Sequence, residues 1–432
     1  MVKSENCCLI ILYLCFLIKS TMNNHFSDKR LMYVIIFTAF LNSIGLSIAI
    51  PVFAMLFLDP VHHVFGFGLR PDQIMWLLGL LKASYPLFQL IGAPLLGSFS
   101  DRIGRKPVLI ISLAGTLIGY LLIIMGILSQ NLFLLFAGRI LDGITGGNAV
   151  VLYSAVADFA DSKTKTARFG LIGMSFGLGF IFGPFLGGIT SSSDIVSWFN
   201  YSTPFILASI LVLFNLIFII SIFPETREKI KTERTPVSFI PHDYFKLFRS
   251  KELLSLFLVF FLFIMGFTFY TQFYDVFLIK KFSFGQRQIG NIFAYIGIWI
   301  VLSQGYLTRF FAHKIKAGYL VTLSLFILAA SILILLFPEN QIWLLLILPF
   351  VSVSHGLILP NLLGMISNTA SKDLQGKAIG FSQSLQSIGY AIPPLISGFV
   401  ISLNLNIPIL TASVLVGLGF IYFVILLASR KY

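Results

Sequence analysis

Charge is scarce in this chain. Of 432 residues, 11% are Asp, Glu, Lys or Arg and 57% are hydrophobic, and mean hydropathy is +0.93. A soluble domain carries roughly 25% charged residues, so a water-facing surface is excluded and lipid is the remaining solvent. Cysteine is nearly absent. Cys7, Cys8 and Cys15 are the only three, so the rest of the chain holds no disulfide, thiolate metal site or cysteine nucleophile. The six histidines show no zinc-like spacing, and the adjacent His62 and His63 read as a solvated pair in an external loop. There is no HExxH and no GxxxxGK[ST], which excludes zincin chemistry and a self-contained ATP-driven pump. No polar stretch is long enough for a soluble effector domain. Nothing implies a metal, a cofactor or an enzyme active site.

What the chain does have is long apolar runs. In lipid, only helices and closed barrels satisfy every backbone N–H and C=O. The runs here are continuous rather than alternating, so helices are expected. Twelve runs approach the roughly 20 residues that a span requires. Six cover 31–56, 73–98, 107–128, 132–157, 169–189 and 203–223. Six more cover 253–278, 289–310, 318–337, 342–366, 378–403 and 407–428. The fold class that follows is an all-α integral membrane protein of twelve transmembrane helices. The polar segment 224–252, PETREKIKTERTPVSFIPHDYFKLFRSKE, divides it into six-helix halves, 22–223 and 253–432. Segment 1–21 is set apart as an extension. Its apolar run, Cys7 to Ile18, is too short to span, no small-residue cleavage site follows, and the expected translation start is Met22.

The net charge is +13, but the positive residues lie in short loops, so topology explains them better than nucleic acid does. With the N-terminus inside, 24 of the 30 Lys and Arg fall on the cytoplasmic side. Four fall outside (Arg70, Lys280, Lys281 and Arg287), and Lys82 and Arg139 lie within the membrane. Both termini are then cytoplasmic. The halves repeat: adding 210 to Gly170, Gly179, Gly183, Pro184 and Gly188 gives Gly380, Gly389, Pro393, Pro394 and Gly398. At an offset of 208, Gly97 and Asp101 are echoed by Gly305 and Arg309. Parallel halves of this kind place a binding site between them near the midplane.

Two segments carry a recognisable pattern. The loop Gly97 to Pro107 reads GSFSDRIGRKP. Gly97 permits close helix approach. Asp101 can pair with a cation or cap a helix, while Arg102, Arg105 and Lys106, around Gly104, hold the loop inside. This segment resembles the major facilitator loop motif, G-x-x-x-D-R-x-G-R-[KR], which latches the cytoplasmic face in that family. Gly170 to Gly188 reads GLIGMSFGLGFIFGPFLGG. It matches the family's antiporter motif, G-x8-G-x3-G-P-x2-G-G, at Gly170, Gly179, Gly183, Pro184, Gly187 and Gly188. The stretch GRILDGITGG, from Gly138, is similar to that around the arginine of drug/proton antiporters, including tetracycline exporters. The resemblance runs from about residue 31 almost to the end and implies two pseudo-symmetric halves. It further implies export of small organic molecules against protons, in a bacterial inner membrane, without an enzymatic activity. An uptake symporter or facilitator for a small anionic or zwitterionic metabolite is the alternative on the same fold.

Ionisable groups inside a membrane are functional by default. Asp142 lies about 15 Å into its helix at about 1.5 Å per residue. Lys82 lies at a similar depth and Arg139 one turn further out. Arg139 and Asp142 are i and i+3, on one helix face. One reading makes Asp142 the proton carrier, tuned by Arg139, which cannot itself release a proton. The other is a local pair that only neutralises both. Lys82 either reaches Asp142 or faces the cavity, and the sum of +1 over these three residues favours a carboxylate-bearing cargo. Asn42 stands where the resembling exporters often carry an acid, which moves proton coupling to Asp142. Tyr85, Gln89, Tyr270, Gln272, Tyr274, His355, Gln383 and Gln386 are candidate cargo-lining residues. Asp275 reads as an interface charge near the outer end, and Asp158 and Asp161 as loop contacts. The expected partners are a small-molecule substrate, protons and the bilayer, with no nucleic acid, and the expected state is monomeric.

Overall fold

In the computed structural model, the described residues are 28–59, 64–65, 68–160, 165–226, 247, 250–312, 314–371 and 374–429. The extension 1–21, most of the segment 224–252, His62, His63 and Asp161 lie outside them. All regular structure among the described residues is helical. The first half contains α1 (Asp28–Ser47), α2 (Ile50–Leu58), α3 (Pro71–Ile103) and α4 (Arg105–Leu128). It continues with α5 (Leu132–Thr145), α6 (Ala149–Phe159), α7 (Lys165–Thr190) and α8 (Thr203–Ile222). The second contains α9 (Lys251–Phe282), α10 (Gln286–Leu302), α11 (Thr308–Ala312), α12 (Ala317–Ile334), α13 (Ile342–Thr369), α14 (Gln375–Val400) and α15 (Ile407–Ser429).

Eleven helical segments among the described residues are long and apolar enough to span. The twelfth, α14, has the length, 26 residues, but Gln383, Gln386 and several serines make it more polar. The outer faces are apolar as well. On α4, Ile111, Ile118, Leu121 and Met125 form a half-exposed stripe, and α8 shows the same with Ile206, Ile210, Leu213, Phe214 and Ile217. Such a stripe on a water-facing helix would be a liability; against lipid it is the expected surface.

Three spans are interrupted where the sequence reads as continuous. The first breaks between α1 and α2, where Pro51 has no N–H to give the preceding turn. The fourth breaks at a 3-10 turn, Gly146–Asn148, where two glycines weaken the helix. The eighth carries a π-helical turn, Ser303–Leu307, between α10 and α11. Outside the spans, the Tyr201 hydroxyl donates to the Asp59 carboxylate, clamping the end of α2 to the start of α8. Burial and that carboxylate push the Tyr201 hydroxyl well above its ordinary pKa.

The halves meet along α3 with α14 and α7 with α10. Both seams are backbone on backbone. A Cβ on Gly79 would lie 2.8 Å from Gly398 Cα, and one on Gly188 would lie 2.9 Å from Gly290 Cα. These contacts sit on the face opposite the Gly97–Pro107 loop, here termed the far face. Toward the loop face, Gly170 and Gly173 of α7, Gly305 beside α10 and Gly364 of α13 have nothing among the described residues within 4 Å of a Cβ. Among the described residues, the seam is closed at the far face and shows no such backbone contact at the loop face.

Candidate functional site

The first-half site forms around the broken fourth span. Arg139 and Asp142, both on α5, are buried at 6% and 2% exposure. Arg139 Nη1 is 3.5 Å from Asp142 Oδ2, a long contact, and Arg139 Nε has no partner among the described residues. The guanidinium carbon instead lies 4.9 Å from the Phe53 ring centre and 5.0 Å from that of Tyr85. Two ring faces therefore hold a cation that its carboxylate pairs only weakly.

Neighbouring helices close tightly around it. A Cβ on Gly119 would lie 3.2 Å from Asp142 Cβ, and one on Gly138 2.6 Å from the Gly119 carbonyl. Gln89 Nε2 donates to the Gly146 carbonyl at 3.1 Å, with Tyr85 beside it, so these two residues satisfy the backbone that the broken span frees. Asn42 Nδ2 donates to Asn148 Oδ1 at 3.0 Å, tying the first span to the same break. Sequence reasoning passed over Asn148, although an Asn directly after two glycines was the available signal. It also passed over Tyr120, which is buried with its hydroxyl facing Gly45.

Lys82 does not reach Asp142. Its ammonium is 2.6 Å from Asp275 Oδ2 on α9. Asp275, read as an interface charge, is fully buried. The span had seemed to end at 278, but α9 runs on to Phe282, so Asp275 lies deeper than its position suggested. The four charges buried within the spans, Lys82, Arg139, Asp142 and Asp275, balance, so no net +1 is left there to favour a carboxylate-bearing cargo.

The second-half candidates divide. Tyr270 and Tyr274 are fully buried with ring centres 4.7 Å apart, so they pack the half rather than line an open path. Gln272 is half-buried, and its carbonyl accepts from Lys82. His355 stacks on Phe267 at 3.8 Å between ring centres, with Nδ1 lacking a partner among the described residues. Gln383 is exposed, and Gln386 Nε2 donates to the Tyr390 hydroxyl at 2.7 Å.

The loop segment is an ionic cluster. Arg105 bonds Asp101 at 2.6 Å, Asp158 at 2.9 Å and Ser100 Oγ at 2.7 Å. Arg102 is exposed. Glu225 adds a member that the sequence reading left in the linker. Its carboxylate accepts the Arg105 N–H at 2.8 Å and the Lys106 N–H at 3.1 Å, capping the N-terminus of α4. Gly104, at φ 106°, lies against that carboxylate and makes the turn that exposes these amides. Lys106 Nζ donates to the Ile220 carbonyl at 2.8 Å. Replacing Glu225 by alanine is expected to cost about 1–2 kcal/mol. A lowered unfolding temperature of the detergent-purified protein, next to an unchanged one for Glu339→Ala on the far face, is the check.

On α7 the motif residues have separate contacts. Gly179 faces Ser43 and the Phe40 carbonyl, Gly183 faces Ser47 and the Ile44 carbonyl, and Gly187 faces the Ile48 carbonyl, so these three seat α7 on α1. Gly188 and the Pro184 carbonyl face Gly290 across the halves, while Gly170 faces open space. The letters GMSFG at 173–177 match the nucleophile-elbow pattern GxSxG. Ser175 nevertheless sits mid-helix and donates to the Leu171 carbonyl at 2.8 Å, without the strand–turn–helix that the elbow needs.

The family model of the Major Facilitator Superfamily matches residues 35–394. The chain belongs to the major facilitator superfamily. It is 30% identical over 377 residues to the tetracycline resistance protein, class H, of Pasteurella multocida, covering 87% of this chain and 90% of that one. It is 25% identical over 408 residues to the quinolone resistance protein NorA of Staphylococcus aureus, covering 94% and 97%. Among solved structures, the human organic anion transporter MFSD10 (TETRAN) superposes with a TM-score of 0.69 at 22% identity, covering 92% of this chain and all of that one. This member of the superfamily is thus a multi-pass integral membrane transporter of small molecules and not an enzyme.

Proposed function

We propose that this transporter exports small organic molecules in exchange for protons, its two halves giving alternating access. The observation that carries the reading is the Arg139–Asp142 pair, buried at the interrupted fourth span. Asp142 is the proton carrier. When it is neutralised, Arg139 keeps the faces of Phe53 and Tyr85, so the cation is not stranded. The loosely paired guanidinium offers its remaining donors to a cargo group. The printed names of the relatives support a drug-like cargo. The balance of the four buried charges supports a neutral or zwitterionic one.

The positive-inside bias assigns the loop face to the cytoplasm, so the open seam admits cargo from the cell interior. The membrane is a bacterial inner membrane, with both termini inside and a monomer as the working unit. The test is uptake into proteoliposomes under an imposed pH gradient, with neutral, zwitterionic, anionic and cationic cargoes compared. Counterflow that follows the gradient supports exchange. Equal movement with and without it makes the protein a facilitator, and movement of cargo with the protons makes it a symporter.

A further inference from the structure

The mechanism above leaves Lys82 and Asp275 without a role. They belong to different halves, Lys82 on α3 and Asp275 on α9, and their side chains are 6% and 0% exposed. Lys82 directs its three N–H donors at α9: Asp275 Oδ1 at 2.7 Å, Oδ2 at 2.6 Å and the Gln272 carbonyl. Asp275 Oδ1 also accepts the Val276 N–H at 2.8 Å. The Phe273 ring centre lies 4.9 Å from the ammonium. No donor of Lys82 is left for cargo in this state.

The pair sits beside the closed seam. Lys82 is three residues along α3 from Gly79, whose backbone meets Gly398 of α14. Parting of the halves at the far face therefore draws Lys82 away from Asp275. A carboxylate that loses its cation in such surroundings is costly to keep charged, and it neutralises when a proton is within reach. The water that enters at the far face brings that proton.

We propose that Asp275 is a second proton-loading group of the transport cycle, taking a proton from far-face water as the halves part and releasing it when Lys82 returns. On opening, hydronium forms the carboxyl O–H bond and leaves water behind. On closure that bond breaks, cavity water takes the proton, and the carboxylate accepts the ammonium again. The far-open state thus binds one more proton at Asp275 than the closed state, which is the sign that an exchanger needs. The direction of cargo rests on the exporter reading above; proton loading at Asp275 does not.

The groups around Asp275 leave Lys82 as the charge that faces it among the described residues. Of the elements packed on α9, α2 has no titratable side chain. α13 brings His355, stacked on Phe267. α14 brings Tyr390, bonded by Gln386. α15 brings Tyr422, paired with Ser255. Tyr274 of α9 itself lies with its ring tilted against that of Tyr270.

The test reads seam opening rather than transport. In protein carrying Cys7→Ser, Cys8→Ser and Cys15→Ser, Met75→Cys places a thiol at the buried α3–α14 contact. A membrane-impermeant maleimide is added from the far face at a series of pH values, and each rate is divided by that of a free cysteine peptide. The normalised rate is expected to rise about tenfold as pH falls from about 8 to about 5.5. With Asp275→Asn it is expected to be high and flat. The double variant Lys82→Gln/Asp275→Asn, which leaves no orphan charge, is expected to be flat as well and guards against misfolding of the single one. A pH slope that survives in both variants overturns the proposal. A slope removed by Asp142→Asn but kept by Asp275→Asn overturns it too, while leaving the exporter reading intact. Flat labelling in Asp275→Asn, together with full gradient-driven transport in Asp142→Asn, supports Asp275 and removes Asp142 from the exporter reading.

Discussion

Asp142→Asn is expected to cut accumulation of cargo against its gradient by the share of one proton while leaving downhill movement in place. One pH unit across the membrane is worth about 1.4 kcal/mol per proton, or about tenfold in cargo concentration. The variant should therefore lower the accumulation ratio about tenfold under that gradient, leaving the share carried by Asp275. Asparagine keeps the size and the polar contacts of Asp142, which is 2% exposed and walled by Gly119 and Gly138, so the loss reports the charge and not a collapse of packing. Arg139→Lys is the complementary probe. It keeps the cation but gives up the planar group that lies over Phe53 and Tyr85. Gradient-driven exchange by Asp142→Asn equal to that of the native protein would remove Asp142 from the mechanism.

A comparable loss is expected from one methyl group on each seam. In Gly188→Ala the new Cβ stands 2.9 Å from Gly290 Cα and 2.7 Å from the Gln286 carbonyl; in Gly398→Ala it stands 2.8 Å from Gly79 Cα. These neighbours are backbone, so no side chain can swing aside. The halves must separate, at a cost of about 1–3 kcal/mol per site. The two sites lie on different helices and should add. The double variant should thus lose the far-closed state, and with it more than about 90% of transport. Gly173→Ala on the same helix, with nothing among the described residues within 4 Å, is the control and is expected to insert and transport normally. The readout is the initial transport rate per inserted protein, and equal rates for Gly188→Ala and Gly173→Ala would overturn the assignment of Gly188 to the seam.

Much of this architecture was legible in the chain because a bilayer constrains sequence strongly. The length of an apolar run predicts a span, and the repeat at 210 residues predicts that Pro184 and Pro394, with Gly188 and Gly398, do the same work; they do, each pair meeting a glycine of the other half. The pairing of Arg139 with Asp142 follows from helical spacing alone. What stayed hidden depends on contact at a distance. Lys82 and Asp275 are 193 positions apart, and no periodicity links them. The lysines at 280 and 281 made the end of α9 look interfacial, yet the helix continues past them to a left-handed cap at Ser283. Glu225 was similarly hidden. It stands in a charged linker, and only the fold brings it to the first amides of α4. The breaks in the first, fourth and eighth spans were missed because hydropathy counts residues and does not see which carbonyl has lost its partner.

The twin glycine seams have a mechanical consequence. Surfaces that hold together by interlocking side chains must change rotamers to slide or part, and each change adds friction and a barrier. Here the far-face contact consists largely of bare backbone, Gly79 on Gly398 and Gly188 on Gly290, which behaves as a pair of smooth bearings placed symmetrically about the axis of the two halves. Resistance to opening then concentrates in the polar ties beside the bearings, Lys82 with Asp275 and Tyr201 with Gln286. A molecule built this way can set the rate of its own rocking by the strength of a few polar catches, while the glycine seams stay indifferent to which way it leans.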